Sequence, residues 1–167
     1  MELTELKRNL FKIFGVENIE SLKTAIYNCC IENDTEKFQQ YMQQIAEPET
    51  DNMQKIFQYY LAERKSKKQD FTPKSLAKLI GKLCGNSETV IDMCSGTGAL
   101  TIQKWSLDNS VKFELQEFDE NVIPFLLFNV AVRNIDCTVY HMDVLQQEIY
   151  HTYSITPGEQ FGIVKVV

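Results

Sequence analysis

The chain has 167 residues, 44% hydrophobic and 24% charged, with a net charge of −6. That composition fits one compact domain, or one domain with a helical extension, and excludes an intrinsically disordered chain. The acidic balance argues against a surface that binds nucleic acid everywhere, although a local basic patch is compatible with it.

Residues 1 to about 66 read as helical throughout. Leu3, Leu6, Leu10, Ile13 and Phe14 recur at helical spacing. Ser21 is expected to cap a second segment carrying Leu22, Ala25, Ile26 and Cys29. Asp34-Thr35 starts a third with Phe38, Tyr41, Met42 and Ile45, and Glu47-Pro48-Glu49 ends it. A fourth runs from about Asp51, with Met53, Ile56, Phe57, Tyr60 and Leu61 on one face. A basic run follows: Arg64, Lys65, Lys67 and Lys68, then Lys74, Lys78 and Lys82. A solvated helix end and linker accounts for that run as well as a nucleic-acid contact does.

The pattern changes after Lys68. Phe71-Thr72-Pro73 is extended, since a residue before proline avoids the helical region. Thr72 is the expected N-cap of a helix with Pro73 in its first position and an apolar face of Leu76, Ala77, Leu79 and Ile80. Thr89 to Met93 reads as a short buried strand, followed by Cys94-Ser95-Gly96-Thr97-Gly98 and a helix from Ala99 to Trp105. Val111 to Gln116 is a second strand, Asn121 to Asn134 a helix with Pro124 in its first turn, and Cys137 to His141 a third strand. Phe161 to Val167 is a candidate fourth. Alternating strands and helices of this kind imply a parallel sheet with crossover helices. The expected division is a helical region, 1–66, and an α/β core, 67–167.

Several classes fall away. No apolar run reaches the about 20 residues that span a bilayer. The start, Met1-Glu2-Leu3-Thr4-Glu5, has neither the basic residues nor the apolar stretch of a secretory signal, so a cytoplasmic location is expected. The five cysteines (Cys29, Cys30, Cys84, Cys94, Cys137) include no Cys-x-x-Cys pair, and His141 and His151 are the only histidines. A structural zinc site is not expected, and the cysteines read as small buried residues in a reducing compartment. There is no Gly-x-x-x-x-Gly-Lys and no Gly-x-Ser-x-Gly.

What remains is a set of acids at strand ends. Asp92 ends the first strand, Glu117 the second, and Asp143 follows the third, with Gly96 and Gly98 in the first strand-to-helix loop. A doubly wound sheet binds nucleotide-like ligands at those ends. S-adenosylmethionine matches the set. Asp92 can receive its ammonium, directly or through water, and the loop Cys94 to Gly98 allows a close backbone approach. The next helix N-terminus favours its carboxylate. Glu117, about 20 residues after the glycines, can accept from the ribose diol, and Asp143 from the adenine amino group. Asp119 competes with Glu117 and is assigned instead to the start of the following helix. A nicotinamide dinucleotide is less suited, because Thr101 stands where a third glycine is wanted.

These segments resemble DNA adenine methyltransferases, most closely the modification subunits of type I restriction systems. The resemblance runs from about residue 53 to 145 and is carried by Tyr60 to Lys74, with its basic linker and Phe71-Thr72-Pro73-Lys74, by Val90 to Ile102, by Gln116-Glu117-Phe118-Asp119, and by His141-Met142-Asp143. It implies a Rossmann-like S-adenosylmethionine-dependent methyltransferase core acting on adenine in DNA. Phe71, Thr72 and Pro73 would close over the methionine end of the cofactor. The implied binding set comprises those three with Asp92, Cys94, Ser95, Gly96, Gly98, Glu117, Phe118, Asp143 and Val144. Arg64, Lys65, Lys67 and Lys68 would meet DNA weakly.

One departure counts. The family's catalytic signature is Asn- or Asp-Pro-Pro with an aromatic residue, whereas the four prolines here, at 48, 73, 124 and 157, are nowhere adjacent. No catalytic residue is identified. The chain is expected to be either a fragment or a short relative that binds cofactor and does not methylate alone, with a partner subunit or remaining methyltransferase chain supplying the rest. A non-catalytic cofactor-binding or partner module, and another nucleotide-binding Rossmann protein, stand as the alternatives.

Overall fold

The computed structural model describes residues 2–44, 47–62 and 71–167. Four helices come first: α1 (Leu3–Phe14), α2 (Ile19–Glu32), α3 (Thr35–Met42) and α4 (Asn52–Tyr60). The remainder alternates, with α5 (Lys74–Leu83), β1 (Thr89–Asp92), α6 (Ala99–Leu107), β2 (Lys112–Glu117), α7 (Ile123–Val132) and β3 (Cys137–Asp143), and closes with β4 (Glu148–Thr156) and β5 (Ile163–Val166).

Local chemistry sets the helix ends. Gly15 and Asn33 take left-handed backbone and stop α1 and α2. The second helix is capped by Asn18, whose side chain accepts from the Ser21 amide at 2.8 Å, so the expected Ser21 cap is displaced by one turn. Asp34 and Asp51 cap α3 and α4 by accepting from Lys37 and Gln54 amides. Pro73 itself is the N-cap of α5, with no side-chain cap bond, which corrects the expected Thr72 cap. Its ψ of 145° keeps it extended and delays the helix to Lys74.

The five strands lie in the order β1-β2-β3-β4-β5. The first three are parallel, and β4 and β5 are antiparallel to their neighbours. The fold is therefore α/β with a Rossmann-like core, and it carries a strand, β4, beyond those expected. Glu148 to Tyr150 present polar and apolar residues without alternation, because that end of β4 is exposed on both faces. The expected fourth strand exists as β5, but it returns beside β4 and not as a parallel crossover.

All ten residues of α7 are buried. Phe128 is the hub where the helical region meets the core: its ring makes edge contacts with Phe14, Phe38 and Tyr41, and Phe38 continues to Phe161. Asn33 then docks α2 onto the outer edge of β5, its amide accepting from Val164 N at 2.7 Å and donating to Val164 O at 3.0 Å. The expected boundary near residue 66 lies outside the described residues. On either side of it, α1–α4 and the sheet share one apolar core.

Two expectations about burial fail for one reason. The strand β1 is at the sheet edge and Ile91 is 58% exposed, and on α5 only Ala77 and Gly81 are buried while Leu76 and Leu79 face outward. Helix α5 packs on α6 through its small residues, and a Cβ at Gly81 would come within 3.3 Å of the Lys104 backbone. Nothing among the described residues covers the apolar side that periodicity assigned to the core. Likewise Cys29, Cys30 and Cys137 are buried, but Cys84 and Cys94 are exposed. No helix among the described residues is long and apolar enough to cross a membrane.

Candidate cofactor-binding site

The parallel order β1-β2-β3 brings Asp92, Glu117 and Asp143 to neighbouring strand ends, as their spacing requires. The loop between β1 and α6 is held from below. Ser95 donates both its amide (3.0 Å) and its hydroxyl (3.1 Å) to the Gln116 carbonyl on β2. Its buried hydroxyl thus anchors the loop. Gly96 has φ of 54° and Gly98 of 93°, left-handed backbone that side chains disfavour. A Cβ on Gly98 would also sit 3.1 Å from Leu126 Cδ1.

Glu117 does more than stand at a strand end. One carboxylate oxygen accepts from the Gly96 amide at 2.8 Å and the other from the Asp119 amide at 2.8 Å. The loops after β1 and β2 are thereby tied to one carboxylate, and each oxygen keeps lone-pair capacity for a second donor. Burial pushes the Glu117 carboxyl above the usual range, while those two amides pull it back.

At Asp92 one oxygen accepts from the Cys94 amide at 3.2 Å. The other is enclosed and accepts nothing among the described residues. Burial raises the Asp92 carboxyl, with only the Cys94 amide opposing it. An enclosed carboxylate oxygen without a donor is an energetic cost that an ammonium or ordered water would relieve. At the same end, α6 begins at Gly98 with no side-chain cap, so its first amides lack a side-chain acceptor. Asp92 and the α6 terminus therefore offer an acceptor for a cation and donors for an anion, the two halves of an amino-acid group.

The other predicted residues fall in distinct places. Phe71 comes over the glycine loop, its Cε1 3.9 Å from a Cβ built on Gly96, and its ring packs edge-on against Phe57. Thr72 accepts at its carbonyl from Gln54 Nε2, and Pro73 is exposed. Phe118 is 59% exposed beside Glu117, a free aromatic face at the strand end. Asp143 is engaged in the β3–β4 turn, accepting from the Leu145 and Gln146 amides and the Gln146 side chain. Val144 follows in that turn, half-buried. Asp119 is buried and accepts from the Asn121 amide and side chain just before α7, whose N-cap is Val122; Asp119 closes a turn and not the helix cap proper. Arg64, Lys65, Lys67 and Lys68 lie outside the described residues, and Lys74 pairs with Glu47 at 2.8 Å.

Sequence reasoning missed Thr97. It lies between the two glycines, is buried, and donates its hydroxyl to Asp51 at 2.6 Å. No short-range signal links positions so far apart in sequence.

A family model described as N-6 DNA Methylase matches residues 48–164, more than half of the chain. The chain belongs to that family. Comparison with curated proteins gives no match, and comparison with solved structures gives none. At the family level the chemistry is methyl transfer to DNA, and the matched span takes in α4, the glycine loop and all three strand-end acids.

Proposed function

We propose that this chain binds S-adenosylmethionine at the ends of β1, β2 and β3, as the donor-binding part of a DNA adenine methyltransferase of restriction-modification type. The observation that carries the reading is the enclosed oxygen of Asp92, which has no donor among the described residues, at the same end of the fold as the start of α6, which has no side-chain cap. Asp92 would take the ammonium and the α6 amides the carboxylate. Glu117 would accept from the ribose diol while holding both loops, and Phe118 would lie against the adenine. Phe71 would close the methionine end above Gly96. Both Asp143 oxygens already accept turn bonds, so it would reach an adenine amino group through lone-pair capacity left on Oδ2, which has one donor against two on Oδ1. The cofactor supplies an electrophilic methyl on a sulfonium. The described residues would bind and orient it.

Gripping a target adenine is a separate task. It requires paired acceptors for the exocyclic amino group and an aromatic face for the base, and no Pro-Pro signature occurs in these 167 residues. The partner reading follows from the exposed strand β1. A doubly wound sheet continues beyond its first strand at the ligand crevice, and here β1 pairs with β2 alone among the described residues, with Ile91 and Met93 exposed, as are Leu79 and Leu83 of α5. A polypeptide adding a strand there would bring its own residues to the methyl end of the cofactor. Basic residues from Arg64 to Lys82 would add weak, salt-sensitive DNA affinity.

Calorimetry with S-adenosylhomocysteine and with NAD tests the binding step. Micromolar or tighter binding of the first and none of the second is expected; NAD binding, or no adenosyl ligand bound, overturns it. A tritiated-methyl transfer assay on mixed genomic DNA tests the second step. No incorporation above a Gly96→Arg control is expected from the chain alone, and incorporation would show that other residues grip the adenine.

A further inference from the structure

The segment just before α4 is clamped against the core by an unusual number of polar contacts. Arg133, the buried C-cap residue of α7, donates to the Pro48 carbonyl at 2.6 Å and to the Thr50 carbonyl at 3.0 Å. Gln103 of α6 donates to the Glu49 carbonyl. Asp51 follows, only 8% exposed, with its carboxylate turned inward. One oxygen accepts from the Gln54 amide at 2.8 Å, capping α4, and from Asn129 Nδ2 at 2.8 Å. The other accepts from the Thr97 hydroxyl at 2.6 Å. Asn129 Nδ2 also donates to the Thr97 carbonyl at 2.8 Å, and its own oxygen accepts from Arg133 at 2.9 Å. Thr97 is therefore gripped at its hydroxyl by Asp51 and at its carbonyl by Asn129.

A simple helix cap does not need this. The Gln54 amide alone would be satisfied by an exposed Asp or Ser at the surface, as Asn18 does for α2. Burying a carboxylate is costly, and burial accordingly pushes the Asp51 carboxyl up. What the buried arrangement adds is a fixed position for the residue between Gly96 and Gly98. Those two glycines confer freedom that the loop must lose before a ligand can use its amides. Glu117 restrains the loop from the β2 side through Gly96, and Asp51 restrains it from the helical side through Thr97.

We propose that Asp51 is a positioning residue for the cofactor loop, acting through the Thr97 hydroxyl, so that donor affinity depends on how the helical region is seated. The proposal rests on the donor-binding reading above and gives α4 a role in that site. The key variant is Thr97→Val, which removes the hydroxyl and keeps the shape, and Thr97→Ser is its conservative counterpart. Gln103→Ala is the control, since it loosens the same clamp at Glu49 without touching the loop.

Two measurements are made on the full chain: the Kd of S-adenosylhomocysteine, and amide hydrogen exchange of residues 94–98 without ligand. Thr97→Val is expected to weaken binding about tenfold and to speed exchange at Gly96 and Gly98. Thr97→Ser should restore both. Gln103→Ala, even with a comparable drop in Tm, should leave affinity within about twofold of the parent. Should Thr97→Val fail to fold, Thr97→Cys, with a weaker donor, carries the same comparison with a smaller loss. Unchanged exchange in the loop, or a Gln103→Ala loss equal to that of Thr97→Val, overturns the proposal. Failure of the parent chain to bind S-adenosylhomocysteine overturns the donor-binding reading instead, and the exchange measurement still decides whether Asp51 holds the loop.

Discussion

Asp92→Asn separates stability from binding, because the two should move in opposite directions. In the free protein one Asp92 oxygen is enclosed without a donor among the described residues, and burial raises the carboxyl. An acid with a raised folded pKa binds its proton more tightly folded than unfolded, so stability falls as pH climbs from the ordinary carboxylate value through the folded one. Above that folded value the parent carries a buried, half-satisfied charge, which costs about 1–3 kcal/mol. The neutral amide removes the charge and exchanges it for a milder unpaired polar group, so a net gain of about 1 kcal/mol is expected. For a chain of this size that corresponds to a Tm higher by roughly 2–4 °C. The advantage should shrink as pH falls and Asp92 of the parent takes up its proton. Binding should go the other way: losing a charge-assisted bond to an ammonium costs about 1.5–3 kcal/mol, or tenfold and more in Kd. Thermal melts between pH 4 and 8, with and without S-adenosylhomocysteine, read both effects. A variant that melts lower than the parent at pH 7, or binds the ligand equally well, refutes the assignment of Asp92.

Glu117→Ala should weaken S-adenosylhomocysteine at least tenfold, whereas Asp119→Ala, which removes a buried acceptor for Asn121, should lower Tm with little change in affinity; the reverse pattern would mean the wrong acid was chosen. Gly98→Ala combines a φ of 93° with a 3.1 Å contact to Leu126 and should cost about 1–2 kcal/mol or more in urea unfolding; a neutral result would mean that the loop relaxes freely. Iodoacetamide at pH 8.5 should label exposed Cys84 and, more slowly, exposed Cys94, whose thiol is raised by desolvation and by the Glu117 and Asp92 carboxylates. It should spare Cys29, Cys30 and Cys137, whose burial raises Cys29 to about 12 and the other two as well. Bound S-adenosylhomocysteine should slow labelling of Cys94 alone, as mass spectrometry of peptides would show; equal slowing at Cys84 would move the ligand elsewhere. Ile91→Lys should reduce concentration-dependent self-association in light scattering without lowering Tm, since Ile91 stands on an open edge strand; an unchanged scattering profile would show that the edge is not the sticky surface.

The sequence alone determined whatever depends on neighbours along the chain. Helical spacing placed Leu6, Leu10, Ile26, Phe38, Met53 and Phe57 in the core, and all of them are buried. Asp34 and Asp51 announced helix starts, because a capping side chain acts on an amide three residues away. The strand–loop–helix unit around Gly96 and Gly98, and the acids ending three strands, were legible for the same reason. Only the tertiary structure decided how far the sheet extended and what covered it. The hairpin of β3 and β4 escaped notice because alternation in β4 is confined to Thr152–Thr156 while its Glu148–Tyr150 end is exposed on both faces, and β5 turned antiparallel because it follows a hairpin and not a crossover helix. Leu76 and Leu79 carried an apolar pattern that only a packed neighbour could bury. The links from Asp51 to Thr97 and from Glu117 to Gly96 span residues distant in sequence, joined by chain folding. A buried carboxylate takes its role from whichever donors the fold delivers to it, and periodicity along the chain contains no record of them.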